Sequence, residues 1–98
     1  MWGMRVITNR RLLEFAAKHA DASEPLQGWR KVMECVGYAN FAELRLAFGT
    51  VDKVGELHVF NIAGNKYRLI AFVHYGRQIC YIKHILTHAE YDRGDWKK

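Results

Sequence analysis

The sequence predicts a mixed α+β domain, in which helices occupy the first half of the chain and strands the second. Between residues 10 and 48, apolar residues recur at the three- and four-residue spacing of amphipathic helices. From Leu57 onward they alternate with a period of two, as in strands. A short β-branched segment before the first helix supplies one more strand. Because the chain has 98 residues, residues 1–98 are expected to form a single domain.

Composition narrows the class of protein. Hydrophobic residues make up 50% of the chain and only one residue is proline, which favours a globular fold over disorder. No apolar run approaches the length of a membrane span, and the start lacks a signal-peptide pattern, so we expect a cytoplasmic protein without a membrane partner. Lys and Arg number 15 against 10 Asp and Glu. This excess favours a polyanionic partner, which is either a nucleic acid or an acidic protein.

Cysteine and histidine spacing predicts neither a metal site nor a cofactor. Cys35 and Cys80 lie in different predicted elements, and the histidines have no zinc-ligand spacing. Both cysteines are therefore interpreted as buried thiols. His58, His74 and His84 are interpreted as surface or packing residues.

The N-terminal half is predicted to hold one strand and two helices before residue 37. Met4–Thr8 forms the strand, and Asn9 caps a helix that runs from Arg10 to about Ala20. Ser23 is predicted to cap a second helix, in which Trp29 lies at helical spacing with other apolar residues. An indole can stack on a nucleobase, but this spacing favours a core position. The basic residues of these helices either contact RNA or line solvated faces; they are Arg10, Arg11, Arg30 and Lys31.

A third helix and a loop complete the first half. Asn40 and Glu43, three residues apart, resemble a capping box and predict a short helix after them. Residues Thr50–Glu56 combine turn-forming and charged residues, so they are predicted to form a mobile loop.

The second half is predicted to be an antiparallel meander. Its strands are Leu57–Ile62, Lys66–Tyr75 and Gln78–Leu86, and Gly64 and Asn65 are placed to take positive φ in the first turn. Pairing with the N-terminal strand would give a four-stranded, mainly antiparallel sheet with helices on one face. The other face is then available for a ligand.

Alternation along the middle strand assigns side chains to the two faces of the sheet. Lys66 and Arg68 are expected to point the same way, opposite to the helices. Continued alternation in the next strand would align His84 with His88, whereas a β-bulge would reverse that expectation. The residues expected to face the helices are Tyr67, Leu69, Ala71, Val73 and Tyr75.

Four residues near the strand ends suggest chemistry. Thr87 and Glu90 form a capping-box pattern, so His88 and Tyr91 are expected on one side of a short helical turn. An imidazole transfers protons near neutral pH, and a phenol donates hydrogen bonds. Arg68 offers a planar fork of donors to a phosphate, and Lys66 offers a point charge. RNA carries its own nucleophile, the 2′-hydroxyl, so its cleavage needs alignment, charge stabilisation and proton transfer but no metal.

Two phrases of the sequence resemble a known family. They are FNIAGNKYRL and THAEYD, and together with the opening MRVIT they are similar to the HigB family of bacterial toxin–antitoxin systems, within the RelE-like group. The resemblance implies a RelE-like fold and an endoribonuclease that cleaves mRNA in the ribosomal A site. It also implies a HigA-like antitoxin, whose helix-turn-helix would contact promoter DNA.

The resemblance also implies roles for individual residues. Arg68 would bind the phosphate, while His88 and Tyr91 would divide the acid, base and orienting roles; Lys66 matches a basic residue at the strand start. The wider RelE-like pattern has a second arginine near the end of the last strand, where this chain has Thr87 and His88. Which of His88 and Tyr91 acts as acid therefore stays open. Candidate RNA-binding residues are Asn61, Asn65 and Lys83. Asn61 is otherwise interpreted as a hydrogen-bonding residue of the strand, and Asn65 as a turn residue. Lys83 is otherwise interpreted as a charge that protects an exposed strand from aggregation.

A protein of a different functional class fits the same fold. Fold does not fix function, so a RelE- or ParE-like toxin without catalysis, or a regulatory protein, would act by protein binding alone. Such a protein would not need the four residues Lys66, Arg68, His88 and Tyr91.

Overall fold

The computed structural model describes residues 3–97, which contain a five-stranded sheet. The order of strands in the sheet is β1-β5-β4-β3-β2, with β1 parallel to β5 and the other neighbours antiparallel. This arrangement confirms the α+β class and the predicted meander. The strands are β1 (Arg5–Ile7), β2 (Asp52–Val54), β3 (Leu57–Ile62), β4 (Tyr67–His74) and β5 (Ile79–Thr87).

Three helices cover one face of the sheet. The helices are α1 (Asn9–Lys18), α2 (Ser23–Cys35), α3 (Phe41–Ala47) and, after β5, α4 (His88–Arg93). Leu12, Trp29 and Leu44 from the first three helices are buried together with Phe60 and Leu69 of the sheet. Each such side chain contributes roughly 1.5–3 kcal/mol by leaving water. Trp29 is 5% exposed, which confirms its predicted place in the core.

Two predicted helix caps are wrong. Asn9 is the first residue of α1 rather than its cap, and its Oδ1 accepts a hydrogen bond from Gln27 Nε2 at 2.9 Å, which joins α1 to α2. A 3₁₀ helix at Ala20–Ala22 runs directly into α2. Ser23 is therefore already inside the helix, and no side chain caps α2.

The cap of α3 is confirmed, but the loop after it is not. Asn40 Oδ1 accepts from Glu43 N at 3.0 Å, and Glu43 Oε1 accepts from Ala39 N at 2.8 Å. The predicted mobile loop contains β2, which pairs antiparallel with β3. Because β2 is an edge strand with exposed Asp52 and Lys53, its sequence lacks the apolar alternation that marks the inner strands. The sheet therefore has one strand more than predicted.

Two local features of the strands decide where side chains point. In the β3–β4 turn, Ala63 (φ 55°) and Gly64 (φ 69°) take positive φ, not Asn65 as predicted. In β5 a β-bulge occurs, because Ile70 pairs with His84 whereas Ala71 pairs with Ile82, leaving Lys83 as the extra residue.

The bulge reverses the alternation along β5. Ile82 and Ile85 both face the helices, and His84 and Leu86 face the opposite side. Arg11 of α1 donates to the carbonyl oxygens of Ile82 (3.0 Å) and Lys83 (3.2 Å), so the side chain of this exposed residue holds the bulge in place.

The face opposite the three helices, here called the open face, is covered only in part. A second buried cluster forms where Trp96, after α4, packs on Val59 and Ile70. The residues predicted to face the helices do so along β4, from Tyr67 to Val73, and at the half-buried Tyr75 just after the strand. None of the helices within residues 3–97 has the length and hydropathy needed to cross a membrane.

The two cysteines differ in environment. Cys80 is buried in the core, and burial raises the pKa of its thiol to about 12. Cys35 is exposed at the end of α2, so its predicted burial is wrong. It occupies the outward side of the last helical turn, where Met33 instead points to the core.

Candidate functional site

Arg68 is a nearly buried cation on the open face. It is the second residue of β4, and it is 8% exposed. Its Nη1 donates to the carbonyl oxygens of Asn65 and Tyr67, both at 3.2 Å, and its Nη2 donates to Asn65 Oδ1 at 2.6 Å. Among the ion pairs within residues 3–97, none includes Arg68. Its charge is therefore stabilised by neutral oxygens and an aromatic ring, not by a carboxylate.

Tyr91 supplies that ring. The guanidinium carbon of Arg68 lies 5.2 Å from the centre of the Tyr91 ring, in the range of a cation–π contact. On the same ring stacks Trp96, with centroids 5.2 Å apart and planes 13° apart. The Trp96 indole Nε1 also donates to the Tyr91 carbonyl oxygen at 3.0 Å. Two contacts from one buried tryptophan thus fix the position of Tyr91.

The start of α4 is anchored to the sheet. Thr87 Oγ1 accepts from Glu90 N at 3.2 Å, and Glu90 Oε1 accepts from Thr87 N at 2.9 Å, which confirms the predicted capping box. The backbone N–H of His88 donates to the Lys66 carbonyl oxygen at 3.0 Å. Gly94, at φ 78°, ends the helix and turns the chain back toward Trp96. The start of α4 is therefore held against Lys66, in the turn that precedes β4.

His88 is the exposed member of the group. Its Nδ1 lies 2.9 Å from Asp92 Oδ2, one helical turn further along α4, and its side chain is 46% exposed. A carboxylate at this position orients the ring and leaves Nε2 directed away from the pair. The predicted convergence is thus found for Arg68 and Tyr91, with His88 on the same short helix.

Lys66 does not join this group. Its Nζ lies 2.8 Å from Asp21 Oδ2, and Tyr67, which faces the helices, donates to Asp21 Oδ1 at 2.6 Å. The expectation that Lys66 and Arg68 point the same way is wrong, because Lys66 precedes β4 and lies in the turn, where strand alternation does not apply. Its hydrogen bond lowers the pKa of Asp21 and raises that of Lys66. The Lys66 charge is neutralised on the helix side of the sheet.

The three candidate RNA-binding residues occupy different settings. Asn65 holds the Arg68 guanidinium with both its backbone and its side-chain oxygen, a role that its turn-forming character did not suggest. Asn61 is exposed directly opposite Arg68 in the register of β3 and β4. Lys83 is the exposed extra residue of the bulge. Their contact with RNA stays a prediction.

Sequence reasoning missed Trp96. The signal was present, since a glycine that ends a capped helix is followed within two residues by a large aromatic side chain. Trp96, which is 6% exposed, also lines a cavity of about 190 Å³ with His84, Leu86 and Arg93. Burial, and after it the nearby Arg11 and Lys83, lower the pKa of His84. His84 therefore favours its neutral form, as expected for a packing residue.

Comparison with known proteins gives a consistent family. Residues 22–94 match the family described as HigB_toxin, RelE-like toxic component of a toxin-antitoxin system. The chain is 30% identical over 92 residues to the mRNA interferase toxin HigB of Escherichia coli strain K12, covering 91% of this chain and 88% of that protein. It is 28% identical over 93 residues to the mRNA interferase HigB of E. coli O6:H1 strain CFT073, covering 92% and 90%. The mRNA interferase HigB of Shigella flexneri is 30% identical over the same shares as the K12 protein, 91% and 88%.

Proposed function

This chain belongs to the HigB toxin family, the RelE-like toxic component of a toxin–antitoxin system, and we propose that it acts as an mRNA endoribonuclease whose site is formed by Arg68, Tyr91 and His88. The relatives named above are mRNA interferases. We propose the same activity for this chain. Because mRNA is its target, we also propose that the protein acts in the cytoplasm.

The observation that carries the proposal is the buried, unpaired charge of Arg68. Burial of a guanidinium without an anionic partner is unfavourable, so proteins normally pair such a charge with a carboxylate. An arginine has five N–H donors, and three of the five are used in the hydrogen bonds to Asn65 and Tyr67. The remaining donors are suited to an anion that arrives with the substrate, such as the scissile phosphate.

The proposed reaction is attack by the RNA 2′-hydroxyl on the adjacent phosphorus. The O2′–P bond forms and the P–O5′ bond breaks; a base removes the 2′-hydroxyl proton and an acid protonates the leaving 5′-oxygen. The products are a 2′,3′-cyclic phosphate and a 5′-hydroxyl. Arg68 stabilises the charge that develops on the phosphoryl oxygens. In this proposal His88 carries out one proton transfer, and its contact with Asp92 supports the role by orienting the ring. The Tyr91 ring contacts Arg68, and in this proposal its hydroxyl donates a hydrogen bond to the substrate.

The partners follow from the family. A toxic component of a toxin–antitoxin system has an antitoxin, and the +5 formal charge of this chain suits an acidic partner as well as RNA. We propose further that cleavage takes place in the ribosomal A site. The antitoxin would be HigA-like, with a helix-turn-helix through which the complex reaches promoter DNA.

The test compares two arginines. Arg68→Ala should lower mRNA cleavage by about 100-fold or more, because removal of one transition-state donor typically has an effect of that size. Arg45→Ala, on the exposed surface of α3, removes the same charge and should leave cleavage within about twofold. Cleavage is measured by mapping mRNA ends by primer extension after induction, with and without translating ribosomes.

Folding of Arg68→Ala is checked by circular dichroism, and Arg68→Gln serves as a variant that retains hydrogen bonds to Asn65. Parent-level cleavage by either folded variant would refute the assigned site. Growth arrest by the parent without any new mRNA ends would support a toxin that acts by protein binding. Cuts that persist without ribosomes would reject the A-site step alone.

A further inference from the structure

Half of the open face carries apolar side chains that nothing in residues 3–97 covers. Trp96 and Tyr91 cover the face over β3 and the start of β4. Toward β1 the same face continues with four apolar residues that belong to neither buried cluster. They are Ile7, Phe72, Ile79 and Tyr81, all half-buried within the sheet.

The register makes these side chains neighbours. Phe72 lies opposite Tyr81, and Tyr81 lies opposite Ile7, so the three form one row across β4, β5 and β1. The rings of Phe72 and Tyr81 have centroids 6.2 Å apart and planes 30° apart. These two neighbouring rings are here called the aromatic platform, which is defined as Phe72 and Tyr81.

The border of the aromatic platform carries one positive charge, at Arg5, and one polar ring, at His74. In the next row, His74 lies opposite Ile79, and Ile79 lies opposite Arg5. Both His74 and Arg5 are exposed. None of the residues in these two rows is acidic. Aromatic rings combined with positive charge favour a single-stranded nucleic acid over an apolar protein surface, because bases stack on the rings while the charges meet the phosphates.

The aromatic platform lies on the same face of the sheet as the proposed cleavage site, on the far side of Ile70, which Trp96 covers. Phe72 lies four residues after Arg68 on β4 and on the same face. At about 3.3 Å per residue, this places the two Cα atoms about 13 Å apart along the strand. One short RNA segment can therefore touch both places.

We propose that the aromatic platform is a base-stacking subsite for the mRNA strand next to the scissile phosphate. A base of the strand stacks on Phe72 and Tyr81, and Arg5 and His74 meet the backbone on its far side. The inference rests on the proposed endoribonuclease function and deepens it, because it adds a site that positions the strand without touching the reacting atoms.

The test measures binding and cleavage separately. Binding uses the full-length protein with a fully 2′-O-methylated RNA oligonucleotide, which has no free nucleophile. Tyr81→Ala should weaken this binding about 5- to 150-fold, the range found when one stacking aromatic is removed. Tyr81→Phe keeps the ring and should bind as the parent does. Leu46→Ala, at an 88% exposed site on α3, is the matched control and should have no effect.

Cleavage of mRNA on programmed ribosomes should show a higher KM for Tyr81→Ala with kcat changed less than KM, since the platform positions the strand. If Tyr81→Ala does not fold, Tyr81→Leu replaces it, because leucine keeps the apolar volume but cannot offer a flat ring. Parent-like binding and KM in the folded variant would overturn the platform.

The outcome separates the two proposals. If the parent cuts mRNA and Tyr81→Ala binds the oligonucleotide as the parent does, the platform is refuted and the endoribonuclease proposal is unaffected. Tyr81-dependent binding by a parent that never cuts mRNA would refute the endoribonuclease instead. Loss of antitoxin binding alone in Tyr81→Ala would assign this face to the antitoxin and also overturn the platform.

Discussion

A positive charge is paired with a carboxylate on the helix side of the sheet, whereas a positive charge on the open face has no anionic partner among the described residues. On the helix side, Lys66 meets Asp21 at 2.8 Å in an ion pair whose side chains are 64% and 48% exposed. On the open face, the neighbouring Arg68 is 8% exposed and meets only neutral acceptors and the Tyr91 ring. The exposed cation is neutralised and the buried one is not. Such an inversion of the usual preference is expected at a binding site rather than in a scaffold.

The faces also differ in how their polar residues are used. His58 is 1% exposed on the helix side, where its Nε2 lies 2.7 Å from the Tyr75 hydroxyl and its ring meets Phe41 edge-on. Burial, with a smaller effect of Lys53, lowers its pKa to about 4. His88, in α4, is 46% exposed, and its Nδ1 lies 2.9 Å from Asp92 Oδ2. One histidine stabilises the fold in its neutral form, and the other is accessible for chemistry.

The largest effect is expected from Trp96→Ala, which removes the buried side chain that packs on the open face. Loss of a buried tryptophan should lower the free energy of unfolding by roughly 3–5 kcal/mol. It should also lower cleavage, because Tyr91 loses both its stacking partner and the hydrogen bond to its carbonyl oxygen. Urea unfolding and mRNA cleavage at a temperature where the variant is folded measure the two effects.

Trp96→Phe is the control for this prediction, since it keeps a stacked aromatic ring, although it loses the indole hydrogen bond and the smaller ring of the indole. It should lose about 1 kcal/mol and retain most of the cleavage. If the folded Trp96→Ala cleaved mRNA as well as Trp96→Phe, then Trp96 would support the fold without positioning Tyr91.

The second-largest effect is a pH-dependent change in stability that His58 causes on the helix side of the sheet. Because the pKa of His58 is lowered to about 4 from an ordinary value near 6.5, the neutral ring stabilises the fold above pH 6.5. That contribution is lost as the pH falls toward 4, because the unfolded chain binds the proton first. Between pH 7 and 4.5 the loss should be about 2 kcal/mol.

The comparison uses His58→Gln, which keeps a polar group beside the Tyr75 hydroxyl and does not titrate. Urea unfolding of both proteins at pH 7 and 4.5 gives the difference in pH dependence. The parent should lose about 2 kcal/mol more than the variant over this interval. Equal losses would mean that the pKa of His58 is not lowered in the folded protein.

Regular strand alternation was predictable from the sequence, and its local interruptions were not. The faces of β4 from Tyr67 to Tyr75 follow from apolar periodicity, and the Thr87–Glu90 cap follows from residue type. The position of Lys66 did not follow, because a residue one step outside a strand is placed by its turn and by its partner, Asp21, which is 45 positions away in sequence. Long-range contacts of this kind leave no local pattern.

The residues Arg68, Tyr91 and Trp96 on the open face were likewise only partly predictable from the sequence. Arg68 and Tyr91 were both identified from the sequence, whereas the tryptophan that holds Tyr91 was missed, since its role depends on the turn at Gly94. The bulge at Lys83 was anticipated only as an alternative. It is stabilised by Arg11, from the other end of the chain, and a side chain that bonds backbone carbonyls cannot be told from a solvated one by spacing.

The smallest effect should come from Lys66→Ala. If the opposite sides of the sheet have different roles, removal of this cation should leave mRNA cleavage within about twofold of the parent, because an exposed ion pair adds little. Asp21→Asn should behave in the same way, since it breaks the same pair from the other side. Cleavage of mRNA on programmed ribosomes is measured for Lys66→Ala, Asp21→Asn and Arg68→Ala in the same experiment. A large loss for Lys66→Ala with none for Asp21→Asn would show that Lys66 leaves Asp21 to reach the RNA, and the division between the two faces would then be wrong.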